Sequence, residues 1–174
     1  EVLLSTASGQ LIRFKEKDVR SMGLPAGGVL GIKLADVADG IVAMDVYRPD
    51  TYVWSVTDNG LAKATKIDEY PTQGRYGQGV INMRLPQGAS EVASTVVGSE
   101  NTHIIITTAI GTTKKLQLKD SYIGSRSIKP RTVLSVGVRN RVIGAVKVTA
   151  RPDMVEAEET AAAQQLSLLD VDEK

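Results

Sequence analysis

Three observations predict an all-β fold made of repeats. β-Branched and apolar runs dominate residues 1–150, and no helical period of ten residues or more appears there. Glycines recur at a fixed step: Gly9 in Ala-Ser-Gly, Gly60 in Asp-Asn-Gly and Gly111 in Ala-Ile-Gly stand 51 residues apart each time. Nine residues after each glycine comes an acid: Asp18, Glu69 and Asp120. A period near 50 residues lies in the range of propeller blades. The expected organisation is a body over residues 1–152, with repeats at about 1–50, 51–101 and 102–152, followed by a tail over 153–174.

Each repeat reads as four strands. The first is β-branched and apolar: Val2–Thr6, Tyr52–Thr57 and His103–Thr108. A tight turn ends on the periodic glycine, which supplies the positive φ that hairpins need. The second strand is more polar: Leu11–Phe14, Leu61–Thr65 and Thr112–Leu118. A 14-residue connection follows in every repeat: Lys15–Gly28, Lys66–Gly79 and Lys119–Thr132. Third strands are expected at Val29–Leu34, Val80–Leu85 and Val133–Val138, and fourth strands at Ile41–Val46, Glu91–Val97 and Arg141–Val148.

Loops of such length are uncommon without a purpose, and three of equal length at one point of the repeat argue for a built-in feature. They are basic: Lys15, Lys17 and Arg20 in the first, Lys66 and Arg75 in the second, Lys119, Arg126, Lys129 and Arg131 in the third. On a ring, equivalent loops share one circumference. A curved belt of bases can neutralise successive DNA phosphates and bend the duplex around itself. Loops that are simply exposed and polar are the plainer reading. Whole-chain charge is +1, yet residues 1–152 hold 20 Lys/Arg against 13 Asp/Glu, while 153–174 hold seven acids and one lysine. A basic body points to a polyanionic partner, although ordinary solubility charge would give the same balance.

Residues 70–85, Tyr-Pro-Thr-Gln-Gly-Arg-Tyr-Gly-Gln-Gly-Val-Ile-Asn-Met-Arg-Leu, resemble a blade of the C-terminal domain of the DNA gyrase A-type subunit. Ile12-Arg13-Phe14, Asp18–Gly23, Gly28–Leu34 and Asn59–Thr65 carry the same resemblance, which covers about residues 2–150. It implies a β-pinwheel, a propeller variant whose neighbouring blades exchange strands, with these three four-stranded blades forming part of a six-bladed ring. It also implies DNA wrapping on a basic rim. The family box Gln-Arg-Arg-Gly-Gly-Lys-Gly has its nearest match at Gln73-Gly74-Arg75-Tyr76-Gly77-Gln78-Gly79, where Gln73, Arg75, Gly77 and Gly79 agree and two bases are absent. This is a degenerate version, and Gly124–Arg131 keeps the charge but loses most glycines. The resemblance places ATP turnover and strand cleavage by a tyrosine in other domains of a type II topoisomerase. The partners it implies are double-stranded DNA, a gyrase B-type subunit, and the remaining blades and domains of the same subunit. The equivalent subunit of topoisomerase IV is a close second.

The residues expected to neutralise phosphates are the loop bases above together with Arg13, Lys63, Arg84, Lys114 and Lys115. Phosphate and shape contacts with little sequence preference are expected. Other chemistries find little support. Gly74, Gly77 and Gly79 fit neither dinucleotide nor P-loop spacing. Asp58-Asn59-Gly60 lacks the alternating carboxylates of a calcium loop. With one histidine and no cysteine, neither a metal site nor a cofactor is expected, and His103 is read as a packing or edge residue. Tyr70, Tyr76 and Tyr122 are too few for a single-strand stacking platform, although Tyr76 could touch the minor groove. No run of 18 apolar residues and no signal-like start is present, so a cytoplasmic protein without membrane attachment is expected. The tail reads as flexible or as a short helix, either solvated or folding back on the basic rim. The rival reading is a propeller scaffold that binds protein and not DNA.

Overall fold

The first and fourth strands of each repeat form at runs rich in β-branched and apolar residues. In the computed structural model, which describes residues 1–148, the first strands are β1 (Val2–Thr6), β4 (Tyr52–Thr57) and β8 (His103–Thr108). Each pairs with the next strand across the glycine turn: β2 (Gln10–Phe14), β5 (Leu61–Lys66) and β9 (Thr113–Gln117). Fourth strands β3 (Ile41–Val46), β7 (Val92–Gly98) and β11 (Val142–Lys147) pair antiparallel on the other side. The acid nine residues past each glycine ends a 3-10 turn: Glu16–Asp18, Ile67–Glu69 and Leu118–Asp120.

The third strands differ from expectation. Within the expected spans only Val80–Ile81 (β6) is extended and paired; Val29–Leu34 and Val133–Val138 form no strand, and in the third repeat the paired stretch is Arg131–Thr132 (β10), at the end of the expected loop. Moreover, β6 joins the sheet of the first repeat and β10 that of the second, giving orders β3-β1-β2-β6 and β10-β5-β4-β7; the third sheet is β11-β8-β9. Blades therefore exchange strands. After two ladder residues the donated chain bends over the neighbouring turn. Asn82 and Met83 both donate to the Gly9 carbonyl, and Val133 and Leu134 to that of Gly60. A Cβ on Gly9 would lie 2.2 Å from the Met83 carbonyl oxygen, and one on Gly60 2.0 Å from that of Leu134. The 51-residue glycine period thus has two causes, positive φ and the close approach of the next repeat. Gly111 shares the φ but meets nothing.

Burial is greatest in the middle blade. One face, with Trp54, Val56, Ala62 and Ala64, packs on Ile104, Ile106, Leu116 and Leu118 of the third blade. The other, with Val53 and Val97, packs on Leu3 and Leu11 of the first, joined by Ile67 and Tyr70. Trp54 is wholly buried and donates its indole N–H to Ser121 Oγ at 2.7 Å. A buried polar chain also links the first two blades: Tyr70 OH donates to Asn82 Oδ1 (2.6 Å), Asn82 Nδ2 to Ser55 Oγ (2.8 Å), and Thr95 Oγ1 sits between Ser55 and Ser5 (2.9 and 3.0 Å). Each member is satisfied, as low-dielectric burial demands.

Strands β3, β7 and β11 pack together at the hub. There Asp45 of the first blade accepts the Val97 N–H of the second (3.1 Å) and the Lys147 ammonium of the third (2.8 Å). Burial alone would raise the Asp45 carboxyl; the hydrogen bonds and charge of Lys147 and the backbone donors outweigh it and hold it below the usual range.

Candidate nucleic-acid interface

The second and third long loops leave their second strands, make the 3-10 turn and cross onto the preceding blade. Thr72 bridges Arg13, and Ile123 bridges Ala64, one period later. The Gln73 N–H donates to the Arg13 carbonyl (2.7 Å), and the Gly124 N–H to that of Ala64 (2.9 Å). The loops' arginines follow the same register. Arg75 Nη1 donates to the Leu30 carbonyl and Arg126 Nη1 to that of Ile81, both reaching back 45 residues. Arg75 Nε adds a bond to the Asp18 carbonyl (3.1 Å), and the Arg126 N–H donates to Glu69 Oε2 (3.0 Å).

Two corresponding clefts open at these crossings. The first, about 590 Å³, is lined by Asp18, Arg20, Val29, Leu30, Arg75 and Tyr76. The second, about 230 Å³, is lined by Glu69, Ile81, Arg84, Ser125, Arg126 and Ser127. Asp18 and Glu69, Leu30 and Ile81, and Arg75 and Arg126 are equivalent pairs 51 residues apart. A guanidinium carries five N–H donors in a fixed fork, so an arginine anchored through one or two still has donors for a phosphate. A third cleft, about 730 Å³, adds Lys33 beside Gln78 and Arg126. Sequence reasoning passed over Lys33; its signal was its place one period before Arg84.

The expected site residues divide into two groups. Lys15, Lys17, Arg20, Lys66, Arg84, Lys115, Lys119 and Lys129 are exposed. Arg131 is exposed with its guanidinium 3.6 Å over the Tyr122 ring, and exposed Lys114 donates to the Val133 carbonyl (2.6 Å). Among the described residues the side-chain ion pairs are Arg13–Glu1, Arg141–Glu91 and Lys147–Asp45, so none of these ten bases is held by a carboxylate within 4.0 Å there. Lys63 is a correction: it is 1 % exposed and its ammonium bonds to the carbonyls of Ser125 and Arg126, out of reach of any surface phosphate. Arg13 is a second. It is pinned by Glu1, donates to the Tyr70 carbonyl (3.2 Å) and covers the Tyr47 ring at 3.7 Å. Tyr70 lies in the second loop but is buried, so it offers no face for stacking, and burial pushes its phenol above the usual range.

Within the box-like loop, Gly74, Tyr76 and Gln78 are exposed, and Gln73, Gly77 and Gly79 are half-buried. Gly79 (φ +72°) passes so close to the first blade that a Cβ would lie 2.5 Å from the Leu11 carbonyl oxygen. Tyr76 adopts a left-handed φ of 65°, uncommon for a residue with a Cβ, and the residue is 47 % exposed in the lining of the first cleft. His103 lies near Gln117, Nε2 to Nε2 at 3.1 Å. Among the described residues, no three His, Cys, Asp or Glu side chains gather as metal ligands, and no helix is long and apolar enough to cross a membrane.

The family model for the DNA gyrase C-terminal domain, a β-propeller, matches residues 1–48 and 52–98. The chain belongs to the DNA gyrase C-terminal domain family. The DNA gyrase A-type subunit of Klebsiella oxytoca is 33 % identical over 153 residues, covering 88 % of this chain and 17 % of that protein. That of Mycolicibacterium smegmatis is 28 % identical over 174 residues, 99 % and 20 %. The chain therefore spans about a fifth of the length of these relatives. A crystal structure of the C-terminal domain of DNA topoisomerase IV superposes with a TM-score of 0.80 at 26 % identity, over 95 % of this chain and 51 % of that one. A gyrase A C-terminal domain superposes at 0.77 with 19 % identity, over 85 % and 50 %, which shows the shared fold. Family membership gives this chain the role of a domain in a gyrase-type subunit.

Proposed function

We propose that this gyrase-family domain binds duplex DNA without sequence preference and bends it along the outer edges of its blades. The observation that carries this is the repeated cleft: an arginine anchored to the preceding repeat's carbonyl, at the same period, with an exposed base, Arg20 in one and Arg84 in the other, in the same lining. Phosphates recur at a fixed rise along DNA, so equivalent clefts on successive blades suit one strand followed around a curve. In this reading further blades of the same subunit complete a six-bladed ring. The parent is an ATP-dependent type II topoisomerase of the cytoplasm, partnered by a B-type subunit, and its catalytic residues lie outside this chain. The domain then supports supercoiling by wrapping. The test is duplex binding against salt: log affinity should fall linearly with log salt, with a slope near −0.9 per phosphate contacted. An affinity indifferent to salt would sink the proposal and favour a protein-binding scaffold.

A further inference from the structure

Lys63 is the one side chain charged at neutral pH that is buried to the level of the apolar core among the described residues. Burying an ammonium is costly unless it is well hydrogen-bonded. Packing does not demand it, because the same place in the first blade, 51 residues earlier, is filled by Ile12, also fully buried. What differs is the loop above. Over Ile12, the second loop is tied by backbone bonds to the segment that follows the first loop, Tyr76 N–H to the Gly31 carbonyl (2.8 Å) and Lys33 N–H to that of Gly77 (2.9 Å). Among the described residues these two ties have no counterpart in the third loop, which carries Ser127 and Pro130 where the second has Tyr76 and Gly79. In their place the Lys63 ammonium bonds to the carbonyls of Ser125 and Arg126.

We infer that Lys63 is a positioning residue for DNA: from beneath, its ammonium holds the third loop so that Arg126 lines the cleft beside Arg84 and meets a phosphate. The inference rests on the proposed DNA binding and names the part that organises this section of the rim. A loop held in its bound conformation loses less entropy on binding. Lys63 never touches the DNA, so its contribution passes through Arg126. The environment also makes the hold pH-sensitive. Burial brings the ammonium down to about 8, Glu69 at the end of the 3-10 turn opposes this, and Arg126 of the loop adds to it. The Tyr70 phenol, the other titratable group of that neighbourhood, stays protonated far above this range. Loss of the proton weakens the charge-assisted bonds to the two carbonyls.

The test measures binding of the full 174-residue chain to a fluorescent duplex at fixed low salt, with Lys63→Met, Arg126→Ala and the double variant. Lys63→Met should bind about tenfold more weakly, the scale of one lost charge-assisted contact. The double variant should bind no more weakly than Arg126→Ala alone. Wild-type affinity should fall between about pH 7 and pH 9, ahead of ordinary lysines, and Lys63→Met should lack that fall. Unchanged affinity in Lys63→Met, or losses that multiply in the double variant, would overturn the inference. Should Lys63→Met fail to fold, the wild-type pH profile decides, and a flat profile overturns it. A wild-type chain that ignores duplex DNA at low salt would instead refute the DNA reading itself.

Discussion

The seam between the first and second blades and that between the second and third solve one problem with different chemistry. Both use a bridge one period apart, Arg13 to Thr72 and Ala64 to Ile123. Both use a glycine under the donated chain and an arginine reaching back to a carbonyl. In the first seam the loop is shaped by glycines over an apolar floor, with Gly79 against Leu11 and Ile12 beneath Gly77. In the second a buried ammonium takes over and the glycines are dispensable, so a proline stands where Gly79 would be. Strand exchange is therefore a property of the shared backbone register. The shape of each basic loop is set locally.

Substitutions can break this comparison. The largest effect is expected at Gly60. Alanine there combines a positive φ with a 2.0 Å approach to the Leu134 carbonyl, and should lower unfolding free energy by more than about 3 kcal/mol in urea titration. Gly111→Ala has the same φ and open space, so it should cost only about 1 kcal/mol. Equal losses at the two positions would show that close approach is not what the period encodes.

Asp45 belongs to neither seam but ties all three blades, so its removal should weaken both alike. Asp45→Asn leaves Lys147 half-buried without its charge partner, and a loss of about 1–2 kcal/mol is expected, discounted for partial exposure. The folded carboxyl titrates below its unfolded value, so its contribution is present above about pH 4 and is lost as pH falls through the lower, folded value. Acid titration of stability should therefore be shallower in Asp45→Asn than in wild type; parallel curves would remove Asp45 from the hub's energetics.

The smallest difference is expected between the two cleft arginines. Arg75→Ala and Arg126→Ala should each reduce the salt slope of DNA binding by about one. The second loop keeps its backbone ties without Arg75, so that variant should lose little beyond its own contact.

Most strands were legible because alternation and the glycine turn are local signals, and β1, β3, β4 and β8 form at the expected bounds. The third strands were not. A short run such as Val80–Leu85 shows that a segment can extend, but not which sheet receives it, and exchange into the preceding blade depends on contacts far apart in the chain. The basic loops were legible through their equal lengths and bases, but the clefts were not, because their linings also take Leu30 and Ile81 from the preceding repeat. Lys63 was misread because lysine between two alanines of an alternating strand looks solvent-facing. The middle blade is covered on both faces, and Ile12 one period earlier was the available clue. The acidic residues 153–174 lie outside the described residues.

The most direct test of the central claim is end-to-end energy transfer in a duplex labelled at both ends, titrated with the chain at low salt. Bending along successive clefts predicts that transfer rises as the chain binds and falls as salt displaces it, in step with affinity. Binding that leaves the duplex ends as far apart as in free DNA would contradict it.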